Sequence, residues 1–171
     1  MFSKALIIPT GDELAAGIVL DTDSPAIMQK LLEINGGAQV TRISPVLDRE
    51  SAISDTIIRF ADNGYDLIVL IGGSGGGHRF STTLGKDFTH SSLDSILEEK
   101  YEGELYGKNG HMWSKLVIGK IHHTLVLNVP GPYEEATATI HAFKESYLKD
   151  YDDLCSINKN MLTALKAKYG A

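Results

Sequence analysis

The chain has 171 residues, 43% of them hydrophobic and 22% charged, with a formal net charge of −6. That length suits one domain able to bury a substantial core, and no apolar run approaches the roughly 20 residues of a membrane-spanning helix. The acidic balance opposes a broad nucleic-acid surface, which needs clustered lysine and arginine, and the lone Cys155 excludes an intrachain disulfide, a CxxC pair and a cysteine-built zinc cage. The apolar part of Met1 to Ile8 is too short for a signal peptide and runs straight into a strand pattern, so a cytoplasmic location away from membranes is expected.

Taken in chain order, β-rich apolar runs occur at Ala5 to Ile8, Gln39 to Ile43, Leu67 to Ile71, Leu116 to Ile118 and Thr124 to Val129. Helical spacing fills the gaps: Ile27, Leu31 and Ile34, then Ile53, Ile57, Phe60 and Ala61, later Ala136, Ile140, Phe143 and Tyr147, and finally Leu154, Ile157, Met161 and Leu165. Pro25 behind Asp23-Ser24 suits a first helical position, with Gly36-Gly37 as that helix's stop. Asp48 or Ser51 can cap the next helix, which Asn63-Gly64 ends. The β-α-β-α-β order predicts a three-layer α/β/α fold with a mostly parallel central sheet and right-handed crossovers. Gly119-Lys120 reads as the turn of an antiparallel hairpin, making the sheet mixed.

The longest non-periodic stretch is Gly72 to Thr89. It begins where Leu67-Ile-Val-Leu-Ile71 opens into Gly72-Gly73-Ser74-Gly75-Gly76-Gly77-His78-Arg79. Glycines let the main chain adopt φ > 0 and approach a ligand closely, and successive N–H groups form an anion-binding concavity. Neither common nucleotide motif fits. His78-Arg79 stand where a P-loop needs Lys and a hydroxyl residue, and a dinucleotide fingerprint begun at Gly73 would place His78 at its third glycine.

In an open α/β sheet the ligand crevice lies beyond the carboxyl ends of the strands. Three segments should meet there: Thr10-Gly11-Asp12-Glu13, Ser44 to Asp48, and the glycine loop. Carboxylates beside a phosphate site repel the ligand unless a cation intervenes, so Asp12, Glu13, Asp48 and Asp87 make chemical sense with Mg²⁺ bridging them to phosphate oxygens. For each acid alone, helix capping or solvation is the plainer account. Arg79 and Lys86 are the candidates to neutralise phosphate, Arg79 through a forked pair of hydrogen bonds. His122 and His123, adjacent on an expected strand, point to opposite faces and are taken as structural. Met112 and Trp113 read as packing or a subunit contact.

These motifs resemble a known family: the molybdopterin-binding domain shared by the Mog and MoaB proteins of molybdenum cofactor biosynthesis, the third domain of MoeA and the N-terminal domain of CinA. Pro9-Thr-Gly-Asp-Glu-Leu14, Gly17-Ile18 and Asp21-Thr22 resemble its P-T-G-D-E-L…G-x-I…D-[ST]-N opening, with Asp23 in place of the Asn. Asp66 to Gly75 resembles its strand followed by G-G-T-G, and Asn128-Val129-Pro130-Gly131-Pro132 its N-[LV]-P-G-x-P strand end. The resemblance implies a rim of Thr10, Gly11, Asp12, Glu13, Gly72, Gly73, Ser74, Gly75, Gly76, Arg79, Pro130 and Gly131 that binds a pterin phosphate or adenine nucleotide. It further implies Mg²⁺-dependent adenylyl transfer from ATP to molybdopterin, with Asp48 and Asp87 as catalytic and metal-holding residues, and a homotrimer or higher multiple. Asp87 arrives only after an extra Gly76 to Gly85 segment, which leaves a non-catalytic pterin or nucleotide binder open. PTGDEL favours the Mog and MoeA branch over a CinA-like pyrophosphatase acting on a nucleotide diphosphate such as ADP-ribose.

Overall fold

The computed structural model describes residues 1–75, 88–108, 110 and 112–169. Among them a six-stranded sheet runs in the order β2-β1-β3-β6-β5-β4. Its members are β1 (Lys4–Pro9), β2 (Gln39–Arg42), β3 (Leu67–Ile71), β4 (Glu99–Tyr106), β5 (Met112–Ile121) and β6 (Thr124–Val129). The first four in spatial order are parallel, and β5 runs antiparallel to both β6 and β4. The expected mixed three-layer α/β/α architecture is the observed one.

The central strands read as predominantly apolar runs because helices cover them on both faces. β3 and β6 are buried throughout. On one face Ala5, Ile7, Leu67 and Val69 pack under α2 (Asp23–Ile34), α5 (Tyr133–Lys149) and α6 (Leu154–Lys168), which contribute Ile27, Leu31, Ile140, Phe143, Ile157 and Met161. On the other, Leu6, Ile8, Ile68 and Leu70 meet Ile53 and Ile57 of α3 (Glu50–Asp62) and Leu93 of α4 (Phe88–Ile96). Alternate residues of each strand thus feed separate cores, as a period of two requires. No helix among the described residues is long and apolar enough to cross a membrane.

Several local expectations move. The hairpin exists, but Gly119-Lys120 lies inside β5 and the turn is His122-His123, where His122 takes φ 53°. The two histidines therefore occupy a turn, with His122 Nδ1 3.1 Å from Glu98 Oε1. Gly119 is needed within the strand instead, because a Cβ there would run into the Glu99 carbonyl of β4. α2 starts two residues before Pro25, and Asp21 Oδ1 accepts from Ser24 N at 3.0 Å. α3 is entered through Arg49 rather than capped by Asp48 or Ser51, while Asn63 and Gly64 (φ 76°) close it as expected.

β4, α1 (Asp12–Ala15) and α4 lie outside the sequence-based elements. β4 is a charged edge strand, exposed along most of its length, so it lacks the apolar run by which buried strands are recognised; such charge guards an open edge against pairing with another chain. Where the β5–β6 ladder ends at Ile118 and Leu127, the buried Asn128 side chain takes over. Its Oδ1 accepts from Val117 N at 2.7 Å and its Nδ2 donates to Lys115 O at 3.0 Å, holding the diverging end of β5 to β6.

Candidate functional site

The carboxyl ends of β1, β3 and β6 are joined by backbone hydrogen bonds. Thr10 N donates to Ile71 O at 2.9 Å and Gly72 N donates to Val129 O at 3.0 Å, continuing the parallel ladders past the last strand residues. Thr10 is 6% exposed, and its hydroxyl adds a second hydrogen bond to Ile71 O at 2.8 Å. The segment after β2 joins from the other side: Gly11 N donates to Val46 O at 3.0 Å and Val46 N to Pro9 O at 2.9 Å. Gly131 lies against Gly72, since a Cβ on Gly131 would stand 3.7 Å from the Gly72 Cα.

Backbone conformation explains the glycines of this junction. Gly72, Gly73 and Gly75 have φ of 90°, 64° and 81°. At Gly72 a side chain would be crowded as well as strained, because its Cβ would sit 3.0 Å from Thr10 Oγ1 and 3.2 Å from Thr10 O. Ser74, which follows, is buried; its carbonyl accepts from Lys115 N at 2.7 Å.

Asp12 and Glu13 open the short α1, and Asp12 Oδ1 accepts from the backbone N–H of Asp48 at 3.0 Å. Two acids from different strand ends are therefore brought together, with the main chain of one fixed by the carboxylate of the other. The set predicted from sequence accordingly divides. Thr10, Gly11, Asp12, Glu13, Asp48, Gly72, Gly73, Ser74, Gly75, Pro130 and Gly131 border one rim, whereas Gly76, Arg79, Lys86 and Asp87 lie outside the described residues.

A Mg²⁺ ion is normally held by one or two carboxylates together with substrate phosphates, rather than by a cage built from protein alone. Asp12 and Asp48 offer hard oxygen donors of that kind, and among the described residues no group of three His, Cys, Asp or Glu forms a closed metal cage. Carboxylate oxygens are the donor type that a metal shared with a phosphate ligand takes.

Beyond this rim, Asp21, Thr22, Pro25 and Tyr133 line an open depression of about 530 Å³ where the first turns of α2 and α5 meet. In the sequence Tyr133 carries no signal beyond its position directly after Pro130-Gly-Pro132. Burial pushes the Asp21 carboxyl up, but hydrogen bonds from Ser24 and Arg42 outweigh it and hold it below the usual range. Arg42 reaches Asp21 Oδ2 at 2.8 Å.

Asp23, standing where the resembled motif has Asn, is pushed up to about 6 by burial and by the Asp21 charge. Because its folded-state value lies above its unfolded one, its contribution to stability is present below about pH 4 and is lost as pH rises to about 6. Asp23→Asn should therefore be more stable than the parent at pH 7 by on the order of 1 kcal/mol, a figure reduced for partial solvent screening. Urea midpoints of both proteins at pH 4 and pH 7 check this, with the difference expected only at the higher pH.

A family model described as "Probable molybdopterin binding domain" matches residues 6–150. The chain belongs to this family. Among curated relatives, the CinA-like protein of Thermosipho melanesiensis is 33% identical over 178 aligned positions, covering 85% of this chain and 44% of that protein. The CinA-like protein of Mycolicibacterium gilvum is 36% identical over 75 residues, 44% of this chain and 17% of that protein. The chain thus spans less than half the length of these relatives. Among solved structures, a molybdopterin biosynthesis protein from Mycobacterium abscessus has a TM-score of 0.67 at 22% identity, covering 91% of this chain and 98% of that one. The molybdopterin biosynthesis enzyme MoaB from Thermus thermophilus has a TM-score of 0.63 at 23% identity, covering 94% and 97%. At such identities these two structures establish the shared family fold.

Proposed function

We propose that the rim formed by the ends of β1, β3 and β6 binds a pterin phosphate together with an adenine nucleotide, and that the protein adenylylates molybdopterin with Mg-ATP. The observation that carries this reading is the joining of Thr10-Gly11, Gly72 and Val46 to Asp48 into one glycine-lined edge with Asp12 and Asp48 side by side. In the reaction, a phosphate oxygen of molybdopterin attacks the α-phosphorus of ATP, the α–β anhydride bond breaks, and pyrophosphate leaves. Bound Mg²⁺ would neutralise charge on the phosphate oxygens. Asp48 and Asp87 would hold that ion, Asp12 orients the backbone at Asp48, and the glycine turn after β3 presents main chain to the phosphates. Arg79 is assigned to the phosphate charge.

A second reading is favoured by the CinA-like relatives: hydrolysis of a nucleotide diphosphate such as ADP-ribose. It uses the same rim and the same attack at anhydride phosphorus, with water replacing the pterin phosphate and AMP and ribose 5-phosphate as products. Calorimetry with ATP, AMP and ADP-ribose in the presence of Mg²⁺, and with a molybdopterin-loaded partner, is expected to show saturable heat for at least one of them. Absence of binding throughout overturns both readings.

The protein is also proposed to assemble as a homotrimer or higher multiple, following the family resemblance. The consecutive Ile18, Val19 and Leu20 are 77%, 52% and 81% exposed and provide apolar surface for such an assembly. Trp113, by contrast, is engaged within the chain, its ring 4.5 Å from that of Tyr169. Light scattering at micromolar concentration should give a multiple of the chain mass, and a monomer mass would refute the assembly.

A further inference from the structure

We infer that Tyr169, at the end of α6, is a positioning residue for the ligand-facing glycine turn, acting through a chain of hydroxyl groups that ends on Glu135. The inference rests on the rim being the ligand site. Ser74 Oγ lies 3.4 Å from Ser114 Oγ, Ser114 Oγ lies 3.3 Å from the Tyr169 hydroxyl, and that hydroxyl donates to Glu135 Oε2 at 2.9 Å. Four residues far apart in sequence, from the turn after β3, from β5, from α6 and from the first turn of α5, thus form one connected path.

The carboxylate gives that path a direction. Tyr169 donates its hydroxyl proton to the Glu135 carboxyl oxygen. The single hydroxyl proton of Tyr169 is then spent, leaving its oxygen to accept from Ser114, whose own oxygen accepts from Ser74. The Ser74 proton is committed inward, toward Ser114. Ser74 therefore serves the rim by fixing the turn, and the glycine turn offers a phosphate its main-chain N–H groups.

The platform beneath Ser74 is tied into the sheet. Lys115 N donates to Ser74 O at 2.7 Å, and Lys115 O is in turn bonded by Asn128 Nδ2 and by His90 Nε2, each at 3.0 Å. With its carbonyl held by β5, the remaining freedom of Ser74 lies in its side chain and in the residues beside it, which the hydroxyl path controls. Ser74 and Ser114 are 7% and 1% exposed, so water has little access to replace a lost partner.

Tyr169→Phe retains the ring against Trp113 and deletes only the hydroxyl; Ser114→Ala cuts the path nearer the turn. For both variants, amide hydrogen exchange over residues 72–75 should accelerate at least about threefold without ligand, with exchange in α2 and α3 unaltered. The dissociation constant for ADP-ribose or ATP with Mg²⁺, whichever the parent binds, should rise about fivefold, the scale of losing one hydrogen bond. Emission from Trp113, the sole tryptophan, should respond to that ligand in the parent and lose the response in Ser114→Ala. Unchanged exchange at 72–75, exchange that rises equally across the whole chain, or faster local exchange with an unchanged dissociation constant would each overturn the inference. A parent that binds neither nucleotide refutes the proposed ligand class instead, and the exchange measurement alone then decides whether Tyr169 holds the turn.

Discussion

Asp48→Asn is expected to lower the rate of the proposed phosphoryl chemistry at least about a hundredfold, the lower end for a positioned catalytic or charge-stabilising group. The substitution preserves shape and deletes the charge on which an interaction with Mg²⁺ depends. Asp48 is exposed and is held through its backbone N–H by Asp12, a bond that the substitution leaves available, so the melting temperature should change little. Asp87→Asn separates two outcomes that the sequence leaves open. A comparable loss means that both acids serve the site, whereas a silent Asp87→Asn beside a damaged Asp48→Asn leaves Asp48 as the principal acid. Assays for adenylyl transfer and for ADP-ribose hydrolysis tell the two readings apart, and full activity in both variants removes the catalytic assignment.

Gly72→Ala should be the most damaging conservative change to the rim. The backbone at φ 90° is strained for any residue with a Cβ, and the added methyl would press on both the hydroxyl and the carbonyl of Thr10. Thr10 has little room to yield, because its N–H and hydroxyl are both bound to Ile71 O. Backbone strain and overpacking together are expected to cost about 3 kcal/mol, or roughly 6–12 °C in melting temperature for a chain of this size. Binding of ADP-ribose or ATP should be lost as well, since the distortion falls where β1, β3 and β6 are tied together. Differential scanning calorimetry and titration of the same preparation test both parts, and a stable variant that binds normally would show that the junction tolerates displacement.

The same features explain which parts of the molecule are legible before folding. Strands buried on both faces, such as Leu67–Ile71, must be apolar throughout, and the helices over them must carry an apolar stripe every three or four residues. Those constraints act on neighbouring residues, so β1, β3, β6 and the four long helices stand out in the sequence, as does the glycine turn that ends β3. β4 does not, because an edge strand draws its hydrogen bonds from β5 and needs little apolar surface of its own. The hairpin turn is hidden for a related reason: Gly119 suits a turn by local preference, yet its place is set by the approach of β4, a contact made across the sheet.

The sequence by itself determined the α/β class, the mostly parallel core, the family and the presence of Asp12, Asp48 and Gly72 just past the strand ends, because each depends on short-range pattern or on a motif of contiguous residues. Only the tertiary structure decided that Asp12 holds the backbone of Asp48, that Thr10 crowds any side chain at Gly72, and that Ser74 is linked to Tyr169 and Glu135. These contacts join residues 34 to 62 positions apart in several elements. Their geometry comes from strand order and helix packing, and no local propensity encodes which distant hydroxyl a serine will meet.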